Sequence, residues 1–324
     1  MRHPALVLTY NRPDSAFKIC KQLAEFGALS IFVSIDGGRT EELRMNQEEL
    51  VSSLQTLAIQ YGLPISIRHS AKNLGVAAGV ISGLDWFFEQ VESGYIFEDD
   101  LIFNEDFLDF SDLGLEKFRD DEVVWMISGN QYLNSNSIWT NYPLIWGWAT
   151  WKSKWIEFRG TLLNSKLSFF KRTTRFRVRQ FWQTGYSRAL NGSLDSWAVP
   201  YASQMLSRQK LGLLPPVNLV SNVGVDNFAS HTHNFAWHTD WEIGNLSDFP
   251  NFLNAWNVDP QLRTSSAQNK LLEKEIYRIR ARHFFIFIYS WLFDSYRFDK
   301  RFGFYSRLPK PGNSSAKYYS YNSY

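Results

Sequence analysis

Roughly the first 130 residues alternate between short apolar runs and stretches of helical spacing, and this alternation constrains the fold more than any other feature. Residues 5–9 (ALVLT), 29–35 (LSIFVSI), 64–68 (PISIR) and 94–97 (GYIF) read as strands. Pro13 suits the start of a helix running to about residue 26. Residues 40–60 carry Leu43, Leu50, Leu54, Leu57 and Ala58 at helical spacing. Residues 73–91 carry Ala77, Val80, Ile81, Leu84, Phe88 and Val91 on one stripe. A further helix is expected at 107–118 and a strand at 123–128. Strands alternating with helices predict an α/β fold with a mostly parallel, Rossmann-like sheet flanked by crossover helices.

The remainder is less regular and rich in tryptophan, with turns at Pro143, Gly147, Gly160, Gly192 and Pro215-Pro216. The chain has 324 residues, 44% of them hydrophobic, enough for a substantial core. Its thirteen tryptophans either fill that core or present flat faces to a carbohydrate. The net charge of +2 gives no argument for nucleic acid as a partner. Cys20 is the only cysteine, so neither an intrachain disulfide nor a cysteine-rich zinc site is expected, which fits a reducing compartment. The N-terminus shows no signal-peptide pattern, and no apolar run reaches the roughly 20 residues needed to cross a bilayer. The expectation is a cytoplasmic protein.

Chemistry-bearing residues collect where the expected strands end. Thr9-Tyr10-Asn11-Arg12 follows the first strand and Asp36-Gly37-Gly38 the second. Arg68-His69-Ser70 and Lys72-Asn73-Leu74-Gly75 follow the third, and Glu98-Asp99-Asp100 the fourth. In a parallel sheet these loops share one edge, where ligands bind. Carboxylates delivered there suit Mg²⁺ or Mn²⁺, whose shells are often completed by substrate phosphates. Each piece has a plainer reading: the acidic triplet and Asp36-Gly37 as turns, Asn73 as a helix cap, Arg68 as a solvated charge. Their ordered co-occurrence favours a nucleotide diphosphate site.

LVLTYNRP, VSIDGG, RHSAKNLGVAAGV and YIFEDD together resemble the nucleotide-sugar half of GT-A glycosyltransferases. The Glu-Asp-Asp form of the acidic motif is most similar to N-acetylglucosaminyltransferase I and its bacterial relatives. The resemblance covers about residues 4–102 and extends patchily to about 240. It implies Thr9, Tyr10 and Arg12 at the base and phosphates, and Asp36 at the uracil or ribose. Arg68 and Asn73 would reach the nucleotide or its phosphates. Glu98 and Asp99 would contact donor sugar and ribose, and Asp100 would ligate the metal. It also implies a nucleotide-sugar half (1–130) and an acceptor half of the same domain (131–245); the residues themselves add an expected C-terminal helical extension (246–308) and a Ser/Asn/Tyr-rich, flexible tail (309–324).

In the acceptor half, Trp146-Gly147-Trp148 is either an aromatic core corner or, by the resemblance, a segment beside the donor sugar; a glycine between two large rings suggests close backbone approach or a bend. Asp195 precedes an expected helix at 197–208 and is either an acid at a helix start or, by the resemblance, the catalytic base. Asp240, Glu157 and Asp226 are rivals. His231 and His233 would face one way on a strand, and many GT-A enzymes add such a histidine to the metal shell; the alternative is two structural histidines.

Lys171-Arg172, Arg175, Arg177 and Arg179 form a solvated face or meet an anionic lipid or glycan. Residues 271–307 read as an amphipathic helix, with Arg278, Arg280 and Arg282 beside HFFIFIYSWLF; it is either a buried helix or a peripheral membrane contact. The expected activity is inverting, metal-dependent transfer from a nucleotide diphosphate sugar, by resemblance a UDP-sugar, to a glycan or glycolipid hydroxyl. The alternatives are a nucleotidyltransferase, for which the glycine-free loop after the first strand is ill suited, and a glycan-binding module.

Overall fold

The structure is a computed structural model and describes residues 1–132, 138–164, 176–224, 242–257, 266–276 and 317–321. The strands of the first half are β1 (Ala5–Thr9), β2 (Ile31–Ile35), β3 (Ile65–His69), β4 (Ser93–Glu98), β5 (Leu101–Phe103) and β6 (Val124–Ser128). Those that follow are β7 (Trp139–Thr140), β8 (Trp148–Trp151), β9 (Leu211–Leu213), β10 (Val220–Asn222) and β11 (Lys317–Tyr321). Nine of them form one sheet in the order β11-β3-β2-β1-β4-β8-β6-β9-β7. In it β1, β2, β3, β4, β6 and β9 run the same way, so the sheet is mostly parallel, as expected. β5 and β10 form a small antiparallel pair.

Alternate residues of each strand enter different layers, because strand side chains point to opposite faces. Ala5 and Val7 of β1 pack with α1 (Pro13–Glu25), α2 (Glu41–Tyr61) and α4 (Glu105–Lys117). Leu6 and Leu8 face α3 (Val76–Gln90), α5 (Lys152–Asn164) and α7 (Ala198–Ser207). The result is a three-layer α/β/α sandwich. The first of these cores also takes in Leu211, Leu213, Leu219, Val220, Leu246 and Trp256, so both halves of the chain share it. α6 (Phe176–Leu190) adds Val178 and Trp182 to a smaller cluster with Tyr132, Tyr142 and Leu144.

Local chemistry sets the helix starts. Pro13 opens α1, and Thr40 Oγ1 accepts from the Leu43 amide to cap α2. α3 begins at Val76 rather than Asn73, and Asn73 is not its cap. Gly75 stands at that start with φ +82°, a conformation that favours glycine.

Two segments differ from expectation. Trp148–Trp151 is a strand in the middle of the sheet, antiparallel to both β4 and β6. Within the segment expected to be a flexible tail, Lys317–Tyr321 pairs antiparallel with β3 from Ile65 to His69. An open sheet edge is a template for such pairing. The C-terminal extension is described only in part, as 3₁₀ turns at Leu246–Asp248 and Phe252–Trp256, α8 (Ser266–Leu271) and a π-helical turn at Leu272–Ile276. Arg278, Arg280 and Arg282 lie outside the described residues, as do Lys171, Arg172 and Arg175. Among the described residues, no helix is long and apolar enough to cross a membrane.

Candidate functional site

The C-terminal ends of β1 to β4 open onto one cavity of about 400 Å³. Thr9, Tyr10, Arg12, Asp36, Arg68, Asn73, Glu98, Asp99, Asp100, Trp146 and Asp195 all line it. Residues from Thr9 to Asp195 thus converge on one cavity.

The acidic triplet divides its work. Asp99 Oδ2 accepts from Thr9 Oγ1 at 2.7 Å and from the Tyr10 amide at 3.0 Å. Asp99 therefore fastens the loop after β1 to β4, and most of its hydrogen-bonding capacity is used inside the protein. Asp100 is held differently. The Asn222 side chain hydrogen-bonds to it, and its backbone carbonyl accepts from the Val223 amide at 2.8 Å. Its Oδ1 is buried and, among the described residues, has no hydrogen-bond partner. Arg12 sits between the two acids, with Nη1 3.7 Å from Asp99 and 3.6 Å from Asp100.

This crowding raises the proton affinity of the cluster. Burial, then the charges of Asp100 and Asp99, push Glu98 up to about 8, while Arg12 opposes the shift. Burial and Asp99 push Asp100 up to about 6, against Arg12 and Asn222. Burial also raises Asp99. A cation beside the triplet would relieve this repulsion. Among the described residues, no three His, Cys, Asp or Glu side chains form a metal site by themselves. The open oxygen of Asp100 fits a hard cation that takes few protein ligands and finishes its shell with water and phosphate oxygens.

Asp36 and Asp195 together hold the start of α3. Asp36 Oδ1 accepts from the amides of Gly37 (3.0 Å) and Leu74 (2.8 Å). Its Oδ2 accepts from Asn73 Nδ2 (3.0 Å) and the Gly75 amide (3.2 Å). Four donors fill the roughly four acceptor sites of a carboxylate. Asp36 is thus committed to the loop, and burial still holds it above the ordinary range. Asp195 takes the next two amides, Val76 at 3.0 Å and Ala77 at 2.8 Å. A bond to each oxygen uses about half of the acceptor capacity of this carboxylate, which lines the cavity. A Cβ on Gly75 would lie 2.9 Å from Asp195 Oδ2, so a side chain there would crowd the acid.

Arg68 is not a solvated charge. It is 2% exposed, donates to Ser34 Oγ at 3.0 Å and lies near enough to Asp36 to favour its charge. Asn73 Oδ1 accepts two bonds from exposed Arg39, at 2.7 and 3.1 Å. Trp146 is half-buried and packs edge-on against Tyr132, with centroids 5.8 Å apart. Gly147 and Trp148 are not among the lining residues. Gly147 has φ +64°, and a Cβ there would lie 2.7 Å from Val220, which accounts for a glycine between two rings. Trp148 stacks on buried Trp197 at 5.7 Å within the core.

Among the rival bases, Glu157 is paired with Arg208 at 2.7 Å and Lys210 at 3.2 Å. Asp226 and Asp240 lie outside the described residues, as do His231 and His233. The site also contains Ser34 and Arg39, which nothing in the sequence singled out. Asn222 also lines it, and lies two residues before Gly224 in the segment 219–224, which resembles the strand-and-glycine segment of related bacterial glycosyltransferases. No family model matches the chain, and no curated protein is significantly similar to it.

Proposed function

We propose that the protein is a GT-A glycosyltransferase that moves a sugar from a nucleotide diphosphate sugar, a UDP-sugar by resemblance, to a hydroxyl of a glycan or glycolipid. The observation that carries this reading is the buried Oδ1 of Asp100, without a hydrogen-bond partner among the described residues, in a cavity that also holds Arg12, Arg68 and Asp195. A carboxylate oxygen left open among the described residues, beside the Arg12 guanidinium, suits a diphosphate that arrives with its own divalent cation.

Asp100 would hold Mn²⁺ or Mg²⁺, which supplies charge neutralisation for the departing diphosphate. Arg12 and Arg68, which both line the cavity, add positive charge. Glu98 meets the donor sugar. Asp195, fixed by two backbone amides, accepts the proton of the acceptor hydroxyl as that oxygen bonds to the anomeric carbon. The bond from that carbon to the diphosphate oxygen breaks in the same displacement, which inverts the anomeric centre. Trp146 offers a flat face at the cavity wall on which a sugar ring can stack.

The test is a screen of nucleotide sugars for acceptor-stimulated nucleotide release in Mn²⁺, followed by NMR of the product. Release that rises with a glycan acceptor and gives the inverted linkage supports the proposal. Absence of release across UDP-, GDP-, ADP- and TDP-sugars contradicts it.

A further inference from the structure

We infer that Gln47 is a positioning residue for the nucleotide side of the cavity, an inference that rests on the glycosyl-transfer reading above. Gln47 lies on α2 and its side chain has no exposed surface. A fully buried uncharged polar side chain normally has its groups satisfied, and this one does. Nε2 donates to the carbonyls of Tyr10 at 2.7 Å and Asp36 at 2.8 Å. Oε1 accepts from the Gly38 amide at 3.0 Å and lies 3.1 Å from His69 Nε2. The amide therefore uses both its donors and both its acceptor sites. Its four partners come from the loop after β1, the loop after β2 and the end of β3. Three of the four strand ends that open onto the cavity thus meet at one side chain.

The bonding pattern dictates the residue type. Two carbonyls must face a group with two N–H bonds, while an amide N–H must face an acceptor. A glutamine satisfies both. With Nε2 committed to carbonyls, the proton at the fourth contact belongs to His69 Nε2. A glutamate would set a carboxylate oxygen against two carbonyls, and a methionine would fill the volume with no bonds. Gln47 does not line the cavity, but two of its partners do: Tyr10 lies in the wall, as does Asp36, which holds the start of α3. Gln47 thus acts through other residues, by fixing where Tyr10 and Asp36 stand before a ligand arrives.

The experiment compares wild type with Gln47→Met and Gln47→Glu. Hydrogen exchange is read without ligand at residues 9–12 and 36–39, and UDP affinity is read by calorimetry in MnCl₂. Exchange in both segments rises about tenfold in each variant, and UDP binds about tenfold more weakly, by loss of preorganisation. Protonation restores one O–H donor to Gln47→Glu, so its affinity relative to wild type improves between pH 7.5 and about pH 5.5. A rise in exchange confined to residues 9–12 and 36–39 separates lost positioning from general destabilisation, and Gln47→Glu keeps the test open if Gln47→Met fails to fold. Exchange within about twofold of wild type in these segments, or UDP affinity within about twofold, overturns the inference. If wild type binds no nucleotide while exchange still rises in the variants, the glycosyl-transfer reading falls and the ordering of the loops by Gln47 stands.

Discussion

Asp195 Oδ1 accepts a hydrogen bond from the Ala77 amide at 2.8 Å, although the two residues are 118 positions apart. An acid from the second half of the chain thereby caps α3, whose start borders the cavity. The proposed base and the start of α3 are one unit, so changing the acid tests chemistry and stability together. Asp195→Ala is expected to lower turnover by at least about 10²-fold. The same change costs about 1 kcal/mol of stability through the lost cap. UDP affinity stays within about threefold, because Asp195 is assigned to the acceptor hydroxyl. Steady-state kinetics, thermal unfolding and calorimetry read the three outcomes. A cap with no role in proton transfer would lower stability and leave turnover near wild type.

Asp100→Asn keeps the size of the side chain and removes its charge. Metal-dependent UDP binding is expected to fall at least about 10-fold, as weakened metal ligation predicts. Thermal stability without ligand is expected to rise, since removing one buried charge relieves repulsion with Asp99 and Glu98. Calorimetry and unfolding of this single variant check both directions.

The acidic triplet makes stability depend on pH with a definite sign. Glu98 and Asp100 have folded-state values raised to about 8 and about 6, so the folded chain binds more protons than the unfolded chain above the ordinary carboxylate range. Stability without ligand therefore falls as pH rises from about 4.5 to about 8. Mn²⁺ with UDP is expected to flatten that slope and to release protons on binding. Unfolding midpoints across this range, with and without Mn²⁺ and UDP, measure it.

Truncation after residue 316 removes β11 and leaves the hydrogen-bonding edge of β3 open. The shortened protein is expected to keep a cooperative unfolding transition and to self-associate more, because an unpaired edge recruits other strands. Sedimentation velocity of the two forms at matched concentration checks it.

The sequence made the first half legible because its strands are short, apolar and punctuated. β1 matches the expected residues one for one, and all five of its residues are buried. β8 escaped because Trp148-Ala149-Thr150-Trp151 is buried on both faces and so shows no alternation. Its antiparallel insertion between β4 and β6 depends on long-range pairing that no local pattern records. The strand-end residues were visible as a set, but their bonding was not. Asp36 and Asp99 read as ligand contacts, yet their oxygens are largely taken up by loop amides and by Thr9, because the two faces of a carboxylate cannot be told apart in sequence. Gln47 looked like any polar residue of an amphipathic helix, since its partners lie on three other segments.

The central claim is that this cavity takes a nucleotide diphosphate together with a divalent cation. Calorimetric titration of UDP into the wild-type protein, with Mn²⁺ and with EDTA, tests it most directly. Saturable one-site binding in Mn²⁺ that is lost in EDTA is the predicted result. Equal binding in both, or binding in neither, contradicts it.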